Sequence, residues 1–308
     1  MWTCITTSPV GTKGGNKEDY ARVARFLAGK ATGLVLSGGG ARGFAHIGVV
    51  QALAEAGIPI DAVGGTSMGA LIAAMVAFGF TPDQMREACR KTFVERGIWD
   101  FTIPILSLFA PKRLSISLEE IFHDQQIENL PRNYFCVTTN LSRAEVCVHR
   151  HGPLTNWVKA SVSIPGIAPP VICDGDLLCD GGVLNNLPVD IMRRFAPGSI
   201  IAANVTSFVD PSLVNVPPEA CSPWHVLLSR LNPFAPHRPH PNILHILYRS
   251  SMLSSLSSAV AAQTSASLFI DPHVAHFGLF EWKAIDQIVE AGLLHARTQV
   301  AQWLSVAH

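Results

Sequence analysis

The chain has 308 residues, 48% of them apolar and 15% charged, a balance that builds a large buried core and excludes a disordered or coiled-coil protein. Lysine plus arginine and aspartate plus glutamate both number 23, so the formal charge is zero and no global field draws the chain onto nucleic acid. The seven cysteines are odd in number and form no C-x-x-C pair, which argues against a disulfide framework or a zinc ribbon and for a reducing, cytoplasmic setting.

In chain order, residues 1–18 read as a flexible leader, rich in Gly, Thr and Lys and without the apolar stretch of a secretory signal. Residues 19–308 read as one domain. Apolar residues at 3-4 spacing predict a helix over Glu18–Lys30, and a short apolar strand, Gly33–Ser37, then empties into a glycine loop, Gly38–Gly43. A helix over Arg42–Ala56 is stopped by Gly57 and Pro59, and a second buried strand, Ile60–Gly64, follows. Two strand–glycine–helix units predict a parallel sheet covered by helices on both faces. Further expectations are a helix over Asp83–Arg96, paired strands over Tyr134–Thr139 and Ala144–His149, a strand over Ser199–Phe208, and helices over Ile243–Ala262 and Trp282–Leu304. Asp210–Pro241, rich in proline, is the expected surface excursion.

Ala62–Pro82 and Ser250–Ile270 each run without a charged residue, and about 20 such residues can span a bilayer. Glycines break the first near its start and serines crowd the second, so both read as parts of the globular domain. The apolar segment Gly97–Arg113, broken by two prolines, has the character of a lid or binding loop. Its Trp99, Phe101, Ile103, Ile105, Leu106, Leu108 and Phe109, with Lys112 and Arg113 at the edge, suit a headgroup boundary and equally suit a core.

Gly38-x-Gly40-x-x-Gly43 between a strand and a helix also fits a dinucleotide fingerprint, which requires an acidic residue at the end of the second strand. Here that strand ends in Gly64-Gly65-Thr66 and the nearest acid, Asp61, stands at its beginning. Such a loop still offers free N–H groups and a positive dipole to any anion, including the oxyanion of acyl transfer. Gly65-Thr66-Ser67-Met68-Gly69 is a G-x-S-x-G placed one strand–helix unit later, the setting of a nucleophile elbow; a plain turn with Ser67 as N-cap has the same pattern. No late histidine has the setting of a triad base, and His46 is expected to sit behind the glycines as a buried, hydrogen-bonded residue. Asp180-Gly181-Gly182 puts an aspartate at a tight turn, where it either takes the serine proton directly or merely makes an Asx turn. Cys173 and Cys179 around Asp174-Gly175-Asp176 read as packing, with no metal expected.

GGGARG, GTSMG and DGG, in that order, resemble the patatin-like phospholipase family. LVLSGGGARGFAHIGVVQALAEAGIPIDAVGGTSMGALIAA, TNLSRA, ASVSIPGIAPP and LLCDGGVLNNLPVDIMRR are similar to the catalytic domain of its neuropathy target esterase branch, over roughly Asp19 to Leu304. The resemblance implies a three-layer α/β/α fold with a central, mostly parallel sheet, and a serine lipid acyl hydrolase with no metal or organic cofactor. It implies Ser67 as nucleophile, Asp180 as general base, the N–H groups of Gly38, Gly39 and Gly40 as an oxyanion hole, and Arg42 as the residue steadying that loop. Gly43, Gly65, Gly69, Gly181 and Gly182 complete the motifs. The implied substrate is a phospholipid or lysophospholipid, met through peripheral membrane contact; a lipid- or partner-binding scaffold without turnover is the competing expectation. Ala203-Asn204-Val205 departs from the pattern, since relatives often carry an acid after that strand.

Overall fold

The structure, a computed structural model, describes residues 17–98, 100–103, 105–206 and 243–306. Expectations for the leader up to residue 16, for Trp99 and for the proline-rich segment up to Pro241 therefore lie outside the described residues.

Helix α1 (Lys17–Leu27) leads into β1 (Gly33–Leu36), α2 (Ala45–Glu55), β2 (Ala62–Thr66), α3 (Met68–Phe78) and α4 (Pro82–Cys89). A hairpin of β3 (Asp100–Phe101) and β4 (Phe109–Ala110) precedes α5 (Lys112–Phe122), β5 (Asn133–Asn140), β6 (Glu145–His149) and α6 (Leu154–Ser161). Then come β7 (Val171–Cys173), β8 (Asp176–Asp180), α7 (Val189–Met192), β9 (Ile200–Ala203), α8 (Ile243–Ser265), β10 (Leu268–Ile270) and α9 (Ile285–Val306).

Eight strands form the main sheet in the order β10-β9-β1-β2-β5-β8-β7, with β6 also on β5. The pairs from β10 through β5 are parallel, and β6, β7 and β8 join antiparallel. Alternation along the strands divides the core into two layers. Leu34, Leu36, Val63 and Ile201 point into a cluster with α2, α3 and α9, whereas Val35, Ala62, Phe135 and Val137 meet α7 and Ala262 of α8. The three-layer α/β/α architecture expected from the sequence is present.

The uncharged stretch beginning at Ala62 is β2, a sharp turn and α3, whose residues from Met68 to Ala77 are all buried. Among the described residues no helix is long and apolar enough to cross a membrane. Helix α3 stops at Gly79 (φ 102°), and Thr81 with Gln84 forms a capping box that starts α4 at Pro82.

Several expected boundaries shift for tertiary reasons. Strand β2 starts at Ala62 rather than Ile60, because Asp61 is engaged elsewhere: its carboxylate accepts from Arg25 Nε (2.9 Å) and from the Thr32 N–H (2.9 Å). The helix expected from Arg42 begins at Ala45, since Gly40–Phe44 winds as a 3-10 turn with Arg42 N bonded to Gly39 O. The helix expected over Asp83–Arg96 ends as α at Cys89 and continues as a π-helical turn over Arg90–Arg96.

Candidate active site

Ser67 occupies the one-residue turn between β2 and α3 with φ 55° and ψ −128°, a conformation that L side chains rarely adopt. Crowding at the end of β1 enforces it: a Cβ on Gly69 would lie 2.5 Å from the Ser37 carbonyl oxygen, so only glycine lets α3 start this close to the strand. The Ser67 N–H donates to Ser161 Oγ (3.0 Å), and that hydroxyl donates to the Val137 carbonyl (2.7 Å). Ser67 is therefore not an ordinary N-cap; no capping bond from its side chain to α3 forms.

Asp180 arrives from the opposite direction at the end of β8. Its register partner on β5 is Thr138, while Thr66, just before the serine, pairs with Val137. One carboxylate oxygen, Oδ1, accepts the Gly182 N–H (2.8 Å), which is the turn bond expected of an aspartate in D-G-G. The other, Oδ2, is buried without a hydrogen-bond partner among the described residues. Burial pushes the Asp180 carboxyl up to about 7, opposed by the Ser67 hydroxyl and the Gly182 N–H. The Ser67 hydroxyl is near enough to hold the Asp180 pKa down against burial and does not close a hydrogen bond with Oδ2.

The glycine loop closes the third side. Gly38 abuts the serine so closely that a Cβ on it would lie 2.9 Å from Ser67 Cβ. Gly40 has φ 55°, its Cβ position is filled by the Leu279 carbonyl, and the next N–H, that of Ala41, donates to Leu279 O (2.8 Å). Among the described residues, the N–H groups of Gly39 and Gly40 carry no partner. Gly38 differs, because its N–H donates to Asn186 Oδ1 (3.1 Å).

Arg42 is buried and reaches away from the serine, donating from Nε to Phe277 O (2.8 Å) and from Nη2 to Ala275 O (2.9 Å). It thus ties the loop to the segment ahead of α9. His46 Nε2 bonds the Ser37 carbonyl (2.8 Å) from behind the loop, and burial lowers its pKa to about 4, so the ring is neutral and Nε2 is the donor. Gly43 packs on Met68, Gly65 on the Leu36 carbonyl, Gly181 on Val137 and Gly182 on Met252.

Other sequence expectations fall outside this constellation. Asp61 is consumed by Arg25 and Thr32 at the far end of β2, so the dinucleotide alternative lacks its ribose acid. Cys179 is buried, and Asp176 is engaged by Arg143 (2.5 Å) and Asn140 (2.9 Å). His273 Nδ1 pairs with His295 Nε2 (3.0 Å). The apolar loop divides: Phe109 packs with Ile164, Ile167, Tyr248 and Met252, whereas Ile103, Ile105 and Leu106 are 77%, 82% and 76% exposed. Residues that sequence reasoning did not single out are Ser161, Asn186 and Thr206. The first two stand in motif blocks around Asp180, but their partners are long-range and no local pattern marks them.

The patatin-like phospholipase family model matches residues 34–193. A patatin-like phospholipase domain-containing protein of Caenorhabditis elegans is 38% identical over 91% of this chain and 21% of its own length. Patatin-like phospholipase domain-containing protein 6 of Mus musculus is 36% identical over 92% of this chain and 22% of its own. Lysophospholipase NTE1 of Scheffersomyces stipitis is 33% identical over 94% and 19%. The chain thus spans about a fifth of the length of these curated relatives. Among solved structures, VipD from Legionella pneumophila aligns with TM-score 0.46 and 16% identity, over 89% of this chain and 67% of that one.

Proposed function

Because the chain belongs to the patatin-like phospholipase family, we propose that it hydrolyses carboxylic esters of phospholipids or lysophospholipids through an acyl-Ser67 intermediate. The observation that carries this reading is the meeting of a strained serine with a buried carboxylate oxygen and two N–H groups that have no partner among the described residues. In the reaction Ser67 Oγ attacks the ester carbonyl carbon as its proton passes to Asp180 Oδ2. The carbonyl electron pair moves onto oxygen, where the Gly39 and Gly40 N–H groups stabilise it. Collapse expels the lipid alcohol, which takes the proton from Asp180. Water then attacks the acyl-serine with Asp180 again as base, releasing the fatty acid and restoring the hydroxyl.

A carboxyl raised to about 7 is a stronger base than an exposed aspartate and still ionised in part at neutral pH, which suits it to accept a hydroxyl proton without a histidine. Lysophospholipase NTE1 bears a substrate in its name, and that relationship supports a lysolipid as the first substrate to try. The protein meets its substrate peripherally. Supporting this are the exposed Ile103, Ile105 and Leu106 and the outer face of α8, where Ile243, Ile246, Leu253 and Val260 are exposed and no acidic residue occurs. Gly166 links loop and helix: its carbonyl accepts the Leu108 N–H (3.0 Å), and a Cβ on it would lie 3.5 Å from Leu247 Cδ1.

The test is incubation with an active-site phosphonate and, separately, with a long-chain lysophosphatidylcholine. Stoichiometric labelling lost in Ser67→Ala, together with fatty-acid release, is expected. Lipid binding without labelling or release would instead assign a scaffold without turnover.

A further inference from the structure

We propose that Asn186 is a positioning residue that holds the oxyanion-stabilising loop through a closed hydrogen-bond circuit with Gly38 and Thr206; this rests on the Ser-Asp reading given above. The circuit has three members. Gly38 N–H donates to Asn186 Oδ1 (3.1 Å), Asn186 Nδ2 donates to Thr206 Oγ1 (2.9 Å), and the Thr206 hydroxyl donates to Gly38 O (2.9 Å). Each group has a single role that the others dictate: the amide hydrogen of Gly38 demands an acceptor, which turns the Asn186 amino group toward Thr206 and the threonine proton toward the Gly38 carbonyl. Both peptide groups flanking the Gly38 Cα–C unit, donor and acceptor, are thereby taken by one latch.

The latch is itself anchored. Asn204 Oδ1 accepts the Thr206 N–H (3.2 Å) and Asn204 Nδ2 donates to the Thr206 carbonyl (3.0 Å). A carboxylate at position 204 could accept the first bond but could not donate the second. An amide is therefore what the circuit requires at position 204.

Asn186 is buried where the three motifs converge. Its Oδ1 lies 2.6 Å from the Cβ position of Gly38, beside the serine, and 2.9 Å from that of Gly182, in the turn of the base. Two consequences follow for the reaction. The Gly38 N–H is withdrawn from the oxyanion donors, leaving those of Gly39 and Gly40, and the distance between these donors and Ser67 is set by a bond network that substrate does not have to organise.

The experiment compares Asn186→Ala, Asn186→Asp, Thr206→Val and Thr206→Ser with the wild-type chain, using a soluble p-nitrophenyl ester and a lysophosphatidylcholine, with melting temperature and phosphonate labelling rate measured on each. Asn186→Asp keeps the acceptor for Gly38 and loses the donor to Thr206; Thr206→Val removes the hydroxyl at nearly constant shape. Misplacing a reacting group by an ångström costs up to about a hundredfold, so kcat should fall roughly tenfold to a hundredfold in these two variants. KM should stay within about twofold, as for an interaction made in the transition state alone. Thr206→Ser should restore most of the rate. Folded Asn186→Asp and Thr206→Val proteins with wild-type kcat, a raised KM at unchanged kcat, or a Thr206→Ser protein as slow as Thr206→Val would each overturn the proposal. Should the Asn186 variants fail to fold, the Thr206 pair decides. A wild-type chain that neither hydrolyses ester nor takes label would sink the hydrolase reading itself, and this proposal with it.

Discussion

Thr66 and Asp180 lie opposite consecutive residues of one strand, pairing with Val137 and Thr138 of β5. The parallel strand β2 and the antiparallel strand β8 therefore run toward each other along β5 and end where they meet, which delivers Ser67 and Asp180 to the same point of the sheet. As the proposed nucleophile and base, the two would act as one unit in that arrangement. Ser67→Ala and Asp180→Asn should each abolish ester hydrolysis with the fold retained, and the double variant should be no slower than either single one. Near-normal turnover in Asp180→Asn would reduce the aspartate to its turn bond with Gly182.

The buried carboxyl also makes a prediction about stability. Its pKa is raised from 3.8 to about 7 on folding, so the folded state holds a proton that the unfolded state has lost between those values. The stability this contributes is present at low pH and lost as pH rises through about 7, because above it a desolvated charge is buried. Asp180→Asn should thus raise the melting temperature at about pH 9, with the gain shrinking below about pH 6. Thermal unfolding across that range checks it; a variant less stable than wild type at alkaline pH would contradict the burial cost.

Turnover should follow a single ionisation. As pH falls through about 7 the Asp180 carboxyl takes up a proton and kcat/KM should fall tenfold per unit, with a plateau on the alkaline side. His46 and His149 are held neutral, their pKa values lowered to about 4 by burial, and contribute no limb near neutrality. His46→Gln, His273→Gln and His276→Gln should keep turnover per folded molecule. A well-folded histidine variant as inactive as Ser67→Ala would restore a triad.

Gly39 tests the loop more directly than its neighbours. A Cβ there would meet Val205 Cγ2 at 2.5 Å, so Gly39→Ala should push the loop off the serine. Losing one oxyanion donor costs about 3 kcal/mol, roughly a hundredfold or more in kcat, with KM little changed. Val205→Ala in the same chain should recover part of that loss by clearing the contact. A raised KM at constant kcat would assign the loop to substrate binding.

The apolar segment between Gly97 and Arg113 calls for different probes from those its sequence recommends. Phe109 belongs to the cluster with Tyr248 and Met252, so Phe109→Ser should lower the melting temperature. Ile103→Ser with Leu106→Ser should leave it unchanged and abolish sedimentation with anionic vesicles, because these side chains are exposed already. Undiminished vesicle binding by that double variant would place the contact elsewhere.

The motifs of the candidate site were legible in the sequence to the extent that they are local. A strand, a glycine turn and a helix follow from apolar runs broken by Gly38–Gly43 and Gly65–Gly69, and the strained backbone at Ser67 follows from needing glycine on both sides. Asp180 in D-G-G was visible as a turn residue, but its two roles were not separable, since only burial distinguishes Oδ1 on Gly182 from Oδ2 without a partner. The sequence by itself determined the layer pattern, the motif order and the turn settings of Ser67 and Asp180, all properties of residues close in the chain. Tertiary structure alone decided that β8 ends against β2 on β5, that Gly38 is withheld by Asn186 while Gly39 and Gly40 have no partner among the described residues, and that Arg42 faces Ala275 and Phe277 rather than the serine. The physical reason is that these are hydrogen bonds between residues far apart in the chain, satisfied only when buried polar groups must find partners inside the folded core, and no local periodicity records them.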